Sequence, residues 1–119
     1  GGDQFGAVSE AITEAGIDGR MIGVDKDIAL TSPEYAEWIL TSAEKRMTNA
    51  VYDIIKAIAI DGEAFTGDVY LGTLENGGTA LSAITNYTGA QAQADIEAKL
   101  AELQAGIIDG SIDPTGASK

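Results

Sequence analysis

Ile22-Gly23-Val24-Asp25-Lys26-Asp27 and Leu40-Thr41-Ser42-Ala43-Glu44-Lys45-Arg46 decide the fold. Each is an apolar run that ends on charge where a strand would stop. In an open α/β sheet, ligands bind in the crevice beyond the carboxyl ends of the strands. Asp25 and Lys45 lie one strand-and-loop unit apart, so both can reach one crevice. An anionic acceptor facing a cationic donor suits a neutral polyhydroxyl ligand such as a sugar or nucleoside.

On the N-terminal side of this pair, Phe5, Val8, Ile12 and Ala15 fall on one helical face, and Gly16 is placed to stop the helix. Residues 20–24 read as a short buried strand and 26–37 as a loop marked by Thr31-Ser32-Pro33. Residues 37–40, with Trp38 as a core residue, are predicted to form a second strand. A long helix is predicted over 42–60, with Met47, Val51, Ile54, Ile55 and Ile58 as its stripe and Thr41 and Glu44 as a capping box. Residues 69–74 read as a third strand, then come an Asn76-Gly77-Gly78 turn and a weaker apolar stretch over 80–84. Thr88 and Gln91 are candidate caps for a last helix whose stripe is Ala92, Ile96, Leu100, Leu103 and Ile107, closed by Gly110. Helices alternating with short strands predict an α/β fold in three layers around a mostly parallel sheet. One unit is expected over 1–112 and a frayed tail over 113–119.

The chain has 119 residues and a net charge of −12, with only seven Lys and Arg, which argues against nucleic acid and anionic membrane surfaces as partners. It lacks Cys and His, so thiol chemistry, a histidine base and the commonest metal ligands are missing. Ser9, Ser42 and Ser82 have no histidine to activate them, and no carboxylate pair stands out as a glycosidase couple. No cofactor, metal or catalytic residue is expected, and the chain reads as a binder rather than an enzyme.

Lys45 and Arg46, read as the first turn of the long helix, oppose the macrodipole, a mismatch that tends to mark functional positions. The plainer reading is that Glu44 and solvent absorb the penalty. Asp25 can accept two hydroxyl hydrogen bonds from a sugar edge, or it can be an ordinary loop aspartate capping a turn. Asp27 nearby does not complete a hard-cation site, which needs more oxygen ligands. Gly1-Gly2-Asp3 ahead of a helix resembles the start of a glycine turn that offers backbone N–H groups to a ligand; a cloning remnant is the competing explanation.

Taken in order, these motifs resemble the basic membrane lipoprotein family, the purine-nucleoside-receptor-like substrate-binding proteins of bacterial ABC importers. The likeness rests on Gly23-Val24-Asp25-x-Asp27, on Leu40-Thr41-Ser42-x-x-Lys45-Arg46 and on Val51-Tyr52-Asp53. Tyr70-x-Gly72-x-x-Glu75-Asn76-Gly77-Gly78 and Lys99-Leu100-x-x-Leu103-x-x-x-Ile107-Ile108-x-Gly110 extend it along nearly the whole chain.

The resemblance implies the C-terminal part of a two-lobed periplasmic-binding-protein type I fold. It also implies nucleoside capture outside the cytoplasmic membrane, an N-terminal lipid anchor outside this chain, and delivery to an ABC permease. By position, Asp25 and Lys45 resemble the family's ribose-hydroxyl acceptor and donor, and Gly1 and Gly2 its backbone contact. Lys26 and Ile28 flank Asp27 where the family usually has a small polar residue and Gln, and Asp3-Gln4-Phe5 replaces a small-residue stretch. Both differences touch the rim of the expected site. Another sugar or polyol is the alternative ligand, and a signalling or structural module on the same fold is the alternative role. With half a cleft and open sheet edges, the chain is expected to bind ligand poorly alone and to self-associate.

Overall fold

The structure, a computed structural model, describes residues 4–115. Helix α1 (Phe5–Ala15) leads to strand β1 (Met21–Asp25), a one-turn helix α2 (Ile28–Thr31) and a 3₁₀ turn (Pro33–Trp38). Strand β2 (Ile39–Lys45) follows, then helix α3 (Met47–Ile55), which widens into a π turn over Lys56–Ile60. After an irregular stretch come strand β3 (Thr79–Leu81) and helix α4 (Gln93–Ile108).

The sheet order is β1-β2-β3, with β1 and β2 parallel and β3 antiparallel to β2. The fold is therefore α/β as expected, but the sheet is mixed rather than mostly parallel. Met21 pairs with Ile39 and Ile22 with Thr41, so Leu40 is an extra residue in β2. Beyond β3 the chain stays on the edge of β2 without forming a regular ladder. Ser82 Oγ accepts from Ser42 N at 2.8 Å, Ser82 O accepts from Thr41 Oγ1 at 2.8 Å, and Thr85 N donates to Leu40 O at 2.7 Å.

The core is small: Met21, Ile28 and Ile39 are its buried apolar residues, with Phe5, Ile12, Ala29 and Trp38 packed around them. Gly23 lies where α2 crosses β1. A Cβ there would stand 2.3 Å from Ser42 Oγ and 2.6 Å from Ile28 Cγ1, so the crossing needs glycine. Ser42 is fully buried, and its hydroxyl accepts the Ile28 N–H at 3.1 Å, satisfying a donor at the start of α2.

All of this lies on one face of the sheet. On the other, Ile22 and Val24 are 61% and 50% exposed, and neither α3 nor α4 packs extensively against any strand. The third layer expected from the sequence is thus not formed among the described residues. The Cα radius of gyration is 17.7 Å, against roughly 13–14 Å for a compact chain of this length. The apolar stripe of α3 is left open as well, with Met47, Val51, Ile54 and Ile55 all exposed.

Several expected boundaries move. Thr41, Ser42 and Glu44 do not cap a helix; they belong to β2, which runs on to Lys45, and α3 starts only at Met47. The 69–74 stretch forms no strand, and Val69 and Leu71 are 93% and 75% exposed. The 26–37 segment is more ordered than a loop, since it carries α2 and most of the 3₁₀ turn. Neither Thr88 nor Gln91 caps α4; its N-cap is Ala92, with no side-chain capping bond.

Candidate functional site

β1 and β2 run parallel and stop side by side, so their last residues, Asp25 and Lys45, stand at one end of the sheet. Asp25 takes up a left-handed backbone (φ 73°), a conformation that Asp tolerates better than most non-glycine residues. It turns the chain out of β1 toward α2, whose first turn Asp27 caps by accepting the Ala29 N–H at 3.1 Å. Lys45 Nζ meets Asp25 Oδ1 at 2.8 Å. Both side chains remain open to solvent, at 73% and 62% exposure.

The hydrogen bond from the ammonium to Asp25, reinforced by its charge, raises the Lys45 pKa above the ordinary lysine value. The group therefore stays protonated as a donor well beyond neutral pH. Lys45 is not in the first turn of a helix, so the macrodipole argument for it fails. Arg46 is the N-cap of α3, and its guanidinium pairs with Glu44 at 2.9 Å. What singles out Lys45 is its place at the end of a parallel strand.

The loop before β3 buttresses this end of the sheet. Gly78 O accepts the Arg46 N–H at 2.9 Å, Gly77 O accepts from Asn49 Nδ2 at 3.0 Å, and Thr79 Oγ1 donates to Glu44 O at 3.0 Å. Gly77 has φ 67°, as a tight turn over Asn76-Gly77-Gly78 requires. Gly1 and Gly2, the expected backbone contacts, lie outside the described residues.

A separate apolar groove of about 210 Å³ lies between α3 and the 63–70 segment, lined by Ile54, Ala57, Ile58, Phe65 and Tyr70 among others. Asp53 Oδ2 accepts from the Tyr70 hydroxyl there at 2.8 Å, which raises the tyrosine pKa. This groove does not include Asp25 or Lys45. Sequence reasoning also missed Asn86, whose backbone carbonyl accepts from Arg20 Nε at 2.9 Å and whose Nδ2 donates to Ala36 O and Ile39 O. Its left-handed φ of 52° leaves no trace in hydrophobic periodicity. Among the described residues, no cluster of three or more acidic side chains is arranged to hold a metal ion, and no helix is long and apolar enough to cross a membrane. No protein-family model, curated protein or solved structure matches the chain.

Proposed function

We propose that the chain is part of the C-terminal lobe of an extracytoplasmic solute-binding protein of a bacterial ABC importer, and that the ligand is a nucleoside held by its ribose. The protein binds and releases its cargo without chemistry. In this reading Asp25 accepts hydrogen bonds from ribose hydroxyls and Lys45 donates to one of them, the base being held by another part of the binding protein.

The observation that carries the reading is the placement of Asp25 and Lys45, 2.8 Å apart and solvent-open, at the carboxyl ends of adjacent parallel strands. Charge-assisted hydrogen bonds to hydroxyls are the stronger kind, and the two groups hold opposite ends of that chemistry. The bare sheet face and the uncovered stripe of α3 add support, because a lobe of a larger protein would cover them. The resemblance of the motif order to nucleoside-binding proteins of ABC importers supports the nucleoside and importer parts of the reading.

Calorimetric titration of the longer parent protein with adenosine, guanosine, inosine and ribose tests the reading. Tight binding of a nucleoside, abolished by Asp25→Ala and by Lys45→Ala, is the expected result. Affinity for free ribose alone would redirect the assignment to a sugar, and unchanged nucleoside affinity in both variants would overturn the site.

A further inference from the structure

We propose that Asn76 is a built-in deamidation site, at which the folded loop promotes the loss of the side-chain amide. The sequence there is Asn-Gly, in which the Gly77 nitrogen has no neighbouring side chain to shield it. The loop adds what the dipeptide alone lacks. Asn76 Oδ1 accepts two backbone N–H groups, from Thr73 at 2.8 Å and from Gly78 at 2.9 Å. Fixed donors aimed at an oxygen that becomes negative are the device by which enzymes stabilise tetrahedral intermediates. The side-chain nitrogen is held too, donating to Leu71 O at 2.9 Å. The attacking group is held least, since the Gly77 N–H reaches Leu74 O only at 3.4 Å.

The Gly77 nitrogen, on losing its proton to solvent base, forms a bond to Asn76 Cγ, and negative charge moves onto Oδ1 between its two donors. The intermediate collapses as the Cγ–Nδ2 bond breaks, and Nδ2 takes a proton from water and leaves as ammonia. The five-membered imide then adds water at either carbonyl and opens to aspartate or isoaspartate. One water is consumed and one ammonia released, with no change of oxidation state.

The product does not fit the loop as the amide did. A carboxylate oxygen would face Leu71 O in place of a donor, and two acceptors repel. Isoaspartate also lengthens the backbone where Gly72 and Gly78 abut, so closely that a Cβ on Gly78 would lie 2.4 Å from Gly72 Cα. The same turn supplies Gly77 O to Asn49 and Gly78 O to Arg46 N, so the start of α3 loosens as the loop ages.

The test is peptide mapping by mass spectrometry of the intact chain held at mildly alkaline pH, folded and in denaturant, with aspartate and isoaspartate products resolved. Asn49, followed by Ala50, and Asn86, followed by Tyr87, serve as internal references. Conversion at Asn76 is expected to outrun both in the folded chain and to be about tenfold faster folded than denatured, well short of what oxyanion donors supply in an enzyme. A folded rate at or below the denatured rate, or one no faster than at Asn49 or Asn86, would overturn the proposal.

Discussion

Gly23 on β1 and Ser42 on β2 sit side by side under α2, so close that the serine hydroxyl occupies the space a glycine Cβ would need. Gly23→Ala is expected to destabilise the chain by about 1–3 kcal/mol through overpacking. Ser42→Ala leaves the buried Ile28 N–H without its acceptor and is expected to cost about 1–3 kcal/mol. Denaturant midpoints followed by the fluorescence of Trp38, the sole tryptophan, measure both. A midpoint unchanged in Gly23→Ala would show that α2 does not cross β1 at this distance.

The Asp25–Lys45 pair is solvent-open and should add little to stability, so Asp25→Asn and Lys45→Gln are expected to melt close to the unsubstituted chain, while in the longer protein of the proposed function they lower nucleoside affinity. The pH dependence has a definite sign. Because the folded Lys45 pKa lies above its unfolded value, the small stabilisation is complete below the ordinary lysine pKa and is lost as pH rises through the raised one. The stability gap between parent and Lys45→Gln should stay flat from neutral to mildly alkaline pH and close only at higher pH.

At the acid end, a hydrogen bond from Thr88, and a second from Arg20 with its charge, hold the Asp18 pKa below the ordinary aspartate value. A depressed carboxylate stabilises the fold above its unfolded pKa and loses that contribution as pH falls through the folded one. Asp18→Asn is expected to lie slightly below the parent in stability at neutral pH, with the gap closing as pH falls through the folded pKa, so that the acid limb is flatter.

The chain has four tyrosines. The hydrogen bond that Tyr70 donates to Asp53 delays its ionisation. Ultraviolet titration should show a late phenolate step, and either Tyr70→Phe or Asp53→Asn should remove it.

The uncovered stripe of α3 is expected to draw copies of the chain together as concentration rises. Sedimentation should report a mass above the monomer, and Val51→Lys with Ile55→Lys should restore the monomer. A monomer at every concentration would show that the charge of −12 outweighs this apolar surface.

What could be read from the sequence was local. Helix α1 with its Gly16 stop (φ 62°), and the strand around Ile22-Gly23-Val24, appear within about a residue of their expected places, but only Phe5 and Ile12 of the α1 stripe reach the core, and Ile22 and Val24 are exposed in a strand expected to be buried. β2 runs past its expected end because Thr41-Ser42, which carries the residue types of a helix cap, lies inside the strand. Their hydroxyls instead bond Ser82 and Ile28, partners 41 and 14 positions away that no local pattern reveals. The 69–74 run has strand-like composition without a partner, and propensity of that kind is realised only against a neighbouring strand. The pairing of Asp25 with Lys45 is legible because parallel strands bring their ends together, although Lys45 ends a strand and does not begin a helix.

β2 is clasped along both margins, by β1 on one side and by β3 with its irregular continuation through Ser82 and Thr85 on the other. Its amides should be the last in the molecule to trade hydrogen for deuterium, while those of 64–67 trade early. On that expectation the chain carries a slow-opening spine beneath a surface in continual exchange with solvent, and the proposed ligand would be grasped at one end of that spine.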